Sequence, residues 1–406
     1  MPDLWRGEGR SDVPDFTASL PPPVSVVAVP VLRDVQVQAD RVVVAWDGGG
    51  RSTFHHLWLR DNCPCPSCRH PSVPERLIDT LSIADDVAPA TVVISPAGDL
   101  DVSWAGDGHR STFAPAWLAA HAYDDGPRFE APVRTLWSDA AVAPPPEVAY
   151  AAVMDSDAGL RDWLRQLARF GLSFVRGAPT TPGTVVGLAE RIAFLRNSNF
   201  GLLWDVVSKP DPDSLAYTAH ALGPHIDLVS REMLPGLQFL HCLVFDAEGG
   251  DSVLVDGFAC AAELAAEDPE AYDRLTTTPV RFRYRDGAGT DVSARVPLVR
   301  LDLDGTVREV RYSNALLAPL DVPADDMLPT YRALRAFGRI LVSGRHELRF
   351  RLQPGDVMCF DNYRVLHGRA EFDPNSGSRH LQGCYVDRDD FLSRLRALEA
   401  SAPAER

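Results

Sequence analysis

Short valine-rich runs, in which apolar and polar residues partly alternate, dominate the first third of the chain and predict β-strands. These runs lie at residues 24–31, 34–46, 54–58, 91–94 and 100–104. Glycines at residues 48–50 mark a hairpin turn, and residues 114–122 predict a short helix. We therefore expect a small β domain over residues 26–142, preceded by a polar, acidic and disordered tail over residues 1–25.

The pattern changes after a proline-rich segment at residues 143–147, which we interpret as a linker. Apolar residues then recur at helical spacing over residues 157–170. Further helices are predicted at residues 184–196, 261–275, 327–338 and 387–400. Many β runs with glycine and proline turns fill residues 217–385, which favours a double-layered jelly roll. The expected fold is mainly β with flanking helices, with a double-stranded β-helix (jelly roll) domain over residues 148–400.

Length and composition narrow the possible classes of function. A chain of 406 residues is long enough for two domains, and no run of about 18 apolar residues could span a bilayer. A formal net charge of −16 argues against nucleic acid and anionic membranes as partners. The first residues lack a basic stretch followed by an apolar one, and seven cysteines is an odd number for a disulfide framework. These features predict a cytoplasmic protein.

A candidate metal site begins at His225-Ile-Asp227, where the spacing suits a strand end whose alternate side chains point the same way. His367, far downstream, supplies a second imidazole. Two histidines and one carboxylate on one face of a metal suit Fe(II) and leave positions open for a co-substrate and O2. Arg379 follows, and its guanidinium could pair with a carboxylate of that co-substrate through two hydrogen bonds. The alternative is two solvated loop histidines and a turn aspartate.

A second candidate metal site contains three closely spaced cysteines, Cys63, Cys65 and Cys68. Tetrahedral zinc needs a fourth ligand, and two histidines compete for that position. His70 is near in sequence but would demand a tight local loop, whereas His109 lies in an Asp-Gly-His turn of the same predicted domain. A site with four protein ligands is structural, and the alternative is three free thiols in a proline-rich loop.

Several longer motifs carry a resemblance to a known family. They are Leu57-Trp-Leu-Arg-Asp-Asn-Cys-Pro-Cys-Pro-Ser-Cys68, Tyr217-Thr-Ala-His, Pro235-Gly-Leu-Gln-Phe-Leu-His-Cys242, Gly249-Gly-Asp-Ser-Val-Leu-Val-Asp-Gly-Phe258, Phe360-Asp-Asn-Tyr-Arg-Val-Leu-His-Gly-Arg369 and Arg379-His-Leu-Gln-Gly-Cys-Tyr-Val-Asp387. With the His225 motif, they make the chain resemble the γ-butyrobetaine dioxygenase and trimethyllysine dioxygenase family from about residue 30 to residue 400, within the TauD/TfdA-like Fe(II)/2-oxoglutarate oxygenases. The match covers nearly the whole chain, and its motifs occur in the family's order.

The resemblance implies an enzyme that uses Fe(II), 2-oxoglutarate and O2 to hydroxylate a small molecule, with a structural zinc in the amino-terminal domain. It implies that Ser252 and Asn314 assist Arg379 in binding 2-oxoglutarate, and that His109 is the fourth zinc ligand. It also implies a homodimer. The family holds a trimethylammonium group in an aromatic cage, a cation–π site. The corresponding positions here are Phe200, Trp204, Tyr217 and Tyr385.

Two positions depart from the family pattern at the acid end of the substrate pocket. An asparagine becomes Ser214, and a tyrosine directly after the HxD motif becomes Leu228, so another contact such as Arg231 could bind that end. The best prediction of function is hydroxylation of γ-butyrobetaine to L-carnitine, a step of carnitine biosynthesis. Rival substrates are trimethyllysine, a trimethylaminoalkyl phosphonate or a secondary-metabolite intermediate. A non-catalytic jelly-roll binding protein is the alternative from another class, although such a protein would need neither the ligand triad nor Arg379.

Overall fold

The computed structural model describes residues 30–126, 133–137, 145–207, 220–287 and 289–401. Contacts divide these residues into two units, one within Pro21–Glu130 and the other within Ala131–Arg406. The predicted tail over residues 1–25 lies outside the described residues. Among the described residues, no helix has both the length and the apolar character required to cross a bilayer.

The smaller unit consists of two antiparallel three-stranded sheets. The strands are β1 Leu32–Val37, β2 Arg41–Trp46 and β3 Arg51–His55 in one sheet, and β4 Pro89–Ile94, β5 Leu100–Trp104 and β6 Arg110–Phe113 in the other. Two helices, α1 His56–Asp61 and α2 Pro115–His121, complete the unit. Alternate strand residues such as Phe54, Trp104 and Phe113 are buried in one hydrophobic cluster.

The strand predicted over residues 54–58 is wrong beyond His55, where the chain enters α1. β3 pairs with β2 only as far as Arg41, the first residue of β2, so the later residues have no strand to pair with. The His56 N–H instead donates to the Asp40 carbonyl oxygen at 2.9 Å, and the helix then buries Leu59 in the core. This turn brings the chain to the first cysteine of the predicted zinc site.

The larger unit contains the two stacked sheets of a double-stranded β-helix, which confirms the predicted fold class. The first sheet has the order β7 Glu147–Ala149, β8 Leu172–Arg176, β18 Val357–Asp361, β11 Leu237–Phe245, β20 Arg379–Val386 and β9 Trp204–Val206. The second has the order β10 Leu222–His225, β19 Val365–Arg369, β12 Ser252–Asp256 and β17 Glu347–Phe350. Two hairpins, β13 Pro279–Arg285 with β14 Asp291–Pro297 and β15 Val299–Leu301 with β16 Val307–Val310, extend from this core.

Helices pack outside these sheets, as predicted. They are α3 Tyr150–Asp155, α4 Asp157–Phe170, α5 Thr184–Glu190, α6 Gly257–Glu267, α7 Pro269–Thr277, α8 Ala324–Leu341 and α9 Arg388–Ala400. The helix predicted over residues 184–196 ends early, and the Arg196 N–H donates to the Tyr385 carbonyl of β20 at 2.8 Å. The helix predicted over residues 261–275 is two helices. Asp268 caps the second one, and Pro269 lacks the N–H that a continuous helix would use.

Candidate active site

The predicted iron ligands come together at one edge of the four-stranded sheet. His225 ends β10 and is the cross-strand partner of His367 in β19, so strand pairing places the two imidazoles side by side with ring centroids 4.3 Å apart. Asp227 follows in the next turn, and its Oδ1 lies 3.3 Å from His225 Nε2 and 3.7 Å from His367 Nε2. All three ligand atoms lie within 4.8 Å of one another.

The two oxygens of Asp227 have different surroundings. Oδ1 faces both imidazole nitrogens, whereas Oδ2 accepts a 2.7 Å hydrogen bond from the Tyr385 hydroxyl. Burial would raise the pKa of the Asp227 carboxyl, but the charge and hydrogen bonds of its neighbours lower that pKa strongly. The side chain is therefore an anion that offers one oxygen to a shared ligand position.

Both histidines direct Nε2 at Asp227 Oδ1. The Nδ1 of His225 lies 3.0 Å from the Gly223 carbonyl oxygen, an arrangement that keeps a proton on Nδ1 and a lone pair on Nε2. Burial lowers the pKa of His367 to about 3, so this imidazole is neutral near pH 7. Burial also opposes protonation of His225, but the hydrogen bond and charge of Asp227 raise its pKa. Two imidazoles and one carboxylate of this kind are the donor set that fits Fe(II).

Two further contacts hold Asp227 in place, and the sequence analysis did not find them. The buried amide of Asn362 accepts from the Asp227 N–H at 2.9 Å and donates to the Asp227 carbonyl at 3.1 Å. Arg311, fully buried beside Glu309, donates to backbone carbonyls in the loop after Asp227. In the sequence, the only sign of a role for Asn362 is its place in the family motif over residues 360–369. Arg311 lies in no such motif, so the sequence gives no sign of its role.

Leu228 is the only described residue other than glycine with a positive φ, at 56°. Residues with bulky side chains rarely adopt this left-handed backbone conformation, so the surrounding contacts must hold Leu228 in it. The position directly follows the Asp227 carboxylate, and Leu228 lines the cavity described below. The turn that presents the aspartate is therefore also the turn that places leucine in the cavity wall.

Arg379 begins β20 opposite Phe245, and its guanidinium lies 5.3 Å from the centre of that ring. Among the described residues, no carboxylate forms an ion pair with Arg379, and its buried Nε has no hydrogen-bond partner. Burial, and then the charge of Arg369, lower the pKa of Arg379 to about 10. A half-buried cation without a counter-charge is unfavourable, which makes this a position where an anionic ligand would be stabilising.

Ser252, the first residue of β12, is buried and is the cross-strand partner of Arg369. The glycine turn before it approaches Arg379, since a Cβ added at Gly250 would lie 3.6 Å from Arg379 Cδ. Asn314 is placed differently. It lies on an exposed turn that lines the large cavity, whereas Ser252 and Arg379 are not among the described residues of that lining.

A cavity of about 760 Å³ opens beside the ligand triad. Phe200, Trp204 and Tyr385, three of the predicted cage residues, line it together with His225 and Asp227. Trp204 and Tyr385 stack face to face, with ring centroids 4.2 Å apart. The position of the Trp204 ring depends on a glycine, because a Cβ at Gly383 would lie 2.6 Å from that ring.

Three other positions of the predicted substrate pocket, two proposed contacts and the departure at Ser214, have different outcomes. Tyr217 and Ser214 lie outside the described residues. Arg231 donates to the Asn199 side chain at 3.0 Å and is not among the described residues that line the cavity.

The smaller unit brings Cys63, Cys65, Cys68 and His109 together. The three sulfurs lie 3.3, 3.5 and 3.6 Å from His109 Nε2, and tetrahedral zinc would separate such atoms by about 3.5 Å. Burial lowers the pKa of His109, which favours the neutral imidazole that a metal needs. His70 is exposed, and its Nδ1 accepts from the Ser72 N–H. The Cys3His cluster fits structural zinc.

Arg60 adds a charge next to this cluster. Its Nη1 donates to Cys68 Sγ at 3.4 Å, and its Nη2 pairs at 3.2 Å with Asp107, which itself accepts from the His109 N–H. Three thiolates around a divalent ion leave a net negative charge, which a guanidinium at this position offsets. Sequence reasoning missed Arg60 because it lies on α1, in a different element from the histidine.

Elemental analysis of the full-length protein, purified without chelators, is expected to find about one zinc per chain, independent of added iron. Cys65→Ser should lower both the zinc content and the melting temperature, because the metal links α1 to the turn that carries His109. His70→Ala is the matched control and should retain zinc, whereas His109→Ala should lose it. Retention by His109→Ala together with loss by His70→Ala would contradict this ligand set.

Comparison with known protein families gives two matches. Residues 135–385 match the taurine catabolism dioxygenase TauD, TfdA family, and residues 34–119 match the γ-butyrobetaine hydroxylase-like amino-terminal family. The first match covers the described residues of the iron site, and the second covers the Cys3His cluster.

Individual relatives extend over almost the whole chain. A γ-butyrobetaine dioxygenase of Pseudomonas sp. (strain AK-1) is 46% identical over 365 residues, which is 89% of this chain and 94% of the relative. A trimethyllysine dioxygenase of Meyerozyma guilliermondii is 32% identical over 88% of this chain and 94% of its own. The γ-butyrobetaine dioxygenase of Homo sapiens is 32% identical over 87% and 93%. Among solved structures, an asparagine oxygenase with Fe(II), 3-hydroxyasparagine and succinate has a TM-score of 0.45 at 19% identity, over 59% of this chain and 80% of its own.

Proposed function

We propose a function from one premise, which is that the chain belongs to the TauD, TfdA dioxygenase family, in the branch of γ-butyrobetaine and trimethyllysine dioxygenases. It is an Fe(II)- and 2-oxoglutarate-dependent dioxygenase that hydroxylates a trimethylammonium substrate, and its reaction converts γ-butyrobetaine to L-carnitine. One observation carries the choice of site, namely that Asp227 Oδ1 faces both imidazole nitrogens at the wall of a cavity that Trp204 also lines. The relative at 46% identity supports the choice of substrate.

The ligand triad would be His225, Asp227 and His367. Bound iron(II) supplies the activation of O2 that couples decarboxylation of 2-oxoglutarate to hydroxylation of a C–H bond. The chain's own groups set the geometry, because the Tyr385 hydroxyl occupies Asp227 Oδ2 and leaves Oδ1 for the metal. Arg379 would bind the distal carboxylate of 2-oxoglutarate, with the Ser252 hydroxyl as a further donor at the neighbouring strand.

The aromatic side chains would select the substrate by its charge. A trimethylammonium group is weakly hydrated and fills a box of ring faces, whereas a primary ammonium keeps water that such a box cannot replace. Tyr385 connects the predicted cage to the triad, since its hydroxyl contacts Asp227 and its ring stacks on Trp204. The same tyrosine would thus connect substrate binding to the position of the metal ligand.

A substrate panel scored by succinate release tests this function. γ-Butyrobetaine should be turned over well and γ-aminobutyrate poorly. Trp204→Leu keeps much of the apolar volume but loses the ring, so it should narrow that preference by roughly 1–2 kcal/mol, the scale of one cation–π contact. The matched control is Trp117→Leu in the smaller unit, which should leave the preference unchanged. Equal turnover of both amines, or turnover of uncharged substrates alone, would contradict the proposed substrate class.

The same panel separates the alternatives. Trimethyllysine and a trimethylaminoalkyl phosphonate are the other quaternary ammonium substrates to include, and a trimethyllysine dioxygenase is among the relatives. A binding protein without activity would release no succinate with any of them.

Seven cysteines without a disulfide fit a reducing compartment, which supports a cytoplasmic location. Sedimentation in solution would test the homodimer that the family resemblance implies.

A further inference from the structure

The predicted cage residues present a geometric problem for binding a cation. Trp204 and Tyr385 stack on each other at 4.2 Å with an interplanar angle of 29°, so no group can lie between them. They are also only 9% and 2% exposed, and together they form one side of the cavity rather than two. A cation–π box is strongest when ring faces approach the cation from several directions. Any further ring face toward a bound cation comes from residues other than this stacked pair.

The β13–β14 hairpin places Tyr284 in that cavity. Side chains alternate along β13, and the buried positions Val280 and Phe282 put Tyr284 on the inner face. Tyr284 is half-buried, in contrast to the nearly inaccessible Trp204 and Tyr385. It lies close to the carboxyl end of β13, at the hairpin tip that lines the cavity.

Tyr284 also contacts a predicted cage residue directly. Its ring meets Phe200 edge to face, with centroids 6.1 Å apart and an interplanar angle of 62°. Phe200 lines the same cavity as Trp204 and is half-buried. Because the Phe200 and Tyr284 rings meet at a steep angle, their faces point into the cavity in different directions. The stacked rings of Trp204 and Tyr385 face nearly the same direction.

Two arginines flank Tyr284 at the cavity wall, and one acid pairs with both of them. Arg283 and Arg285 are among the residues that line the cavity, and both donate to the carboxylate of Asp291. Asp291 is the cross-strand partner of Arg285, so the pairing is built into the hairpin register. One acid shared by two arginines neutralises part of the positive charge that they bring to the cavity wall.

We propose that Tyr284 is a specificity-determining residue whose ring, together with Phe200, forms the second wall of the site for the substrate's quaternary ammonium group. The inference rests on the proposed function, because it names the part of the same cavity that recognises the cation. The contribution is that of the ring and not of the hydroxyl, since the attraction arises from the π face. Phenylalanine at this position should therefore suffice, and leucine should not.

Calorimetric binding to the full-length protein, loaded with Mn(II) and 2-oxoglutarate without O2, tests the proposal. The two probes are γ-butyrobetaine and 5,5-dimethylhexanoate, which has the same shape with carbon in place of the charged nitrogen. Tyr284→Leu should reduce the preference for the charged probe by roughly 5- to 30-fold, as expected for one cation–π contact of about 1–2 kcal/mol. Tyr284→Phe should keep the preference of the unmodified protein, and Tyr272→Leu, at a half-buried tyrosine of α7, should keep it too.

The outcomes distinguish this inference from the proposed function. If the unmodified protein prefers γ-butyrobetaine and Tyr284→Leu has the same preference, Tyr284 is not part of the ammonium site while the substrate proposal survives. If Tyr284→Phe loses the preference as Tyr284→Leu does, the hydroxyl and not the ring is responsible, which also overturns the inference. If the unmodified protein binds neither probe or binds both equally, the proposed substrate class fails and the inference fails with it. Melting temperatures without ligand establish that each variant is folded.

Discussion

Asp227→Ala is expected to abolish substrate-dependent succinate formation, to below about a thousandth of the original rate, since several kcal/mol of metal-derived stabilisation would be lost. The carboxylate provides the only described acidic oxygen shared by both imidazoles, so its removal opens the metal site and leaves the Tyr385 hydroxyl without its acceptor. His225→Ala and His367→Ala should have the same effect. Iron content after anaerobic reconstitution should fall with activity.

The matched control is Asp321→Ala, which removes an exposed aspartate paired with Arg281 and Arg295 in the same unit. That variant should retain iron and turnover. Thermal unfolding should show that all four proteins are folded, because the triad lies at a sheet edge and is not part of the hydrophobic clusters that hold the two sheets together. Succinate formation by any triad variant at a rate near that of the control would refute the ligand assignment.

Arg379→Ala should raise the 2-oxoglutarate concentration needed for half-maximal rate by roughly 30- to 1000-fold, the equivalent of losing about 2–4 kcal/mol from a charge-assisted pair. Among the described residues no acid pairs with this arginine, and burial lowers its pKa to about 10, so a bound carboxylate would be its main counter-charge. Arg379→Lys should recover only part of the effect, because an ammonium cannot form the two parallel hydrogen bonds of a guanidinium.

The informative measurement is whether Arg379→Ala changes the requirement for 2-oxoglutarate alone or the affinity for the prime substrate as well. The apparent affinity for the prime substrate should change much less than that for 2-oxoglutarate, because Arg379 is not among the described residues that line the large cavity. Arg349→Ala is a suitable control, since Arg349 also lies on a jelly-roll strand but its charge is paired with Glu347 at 3.0 Å. An unchanged 2-oxoglutarate requirement in Arg379→Ala would mean that another residue binds the co-substrate.

The spacing of apolar residues along the chain determined the class of fold and most of the helices. It failed where a long-range partner decides the outcome. Residues 54–58 have a strand pattern, yet the strand ends at His55 because β2 provides no further pairing. The helix predicted over residues 184–196 ends at Glu190, and by Arg196 the chain is bound to the backbone of β20. A local pattern contains no information about where the neighbouring strand stops.

For the candidate site, the sequence by itself determined the chemical types of the ligands and their family positions: an HxD pair, a distant histidine and three crowded cysteines. Only the tertiary structure brings His109 rather than His70 to those cysteines, and only it places His225 opposite His367. It also shows that Trp204 and Tyr385 share one face of the cavity. The physical reason is that strand pairing and side-chain packing join residues far apart in the chain, 41 positions for Cys68 with His109 and 367 − 225 = 142 for His225 with His367. The sequence shows which metal ligands and aromatic side chains are present, and the tertiary fold determines which of them lie next to one another.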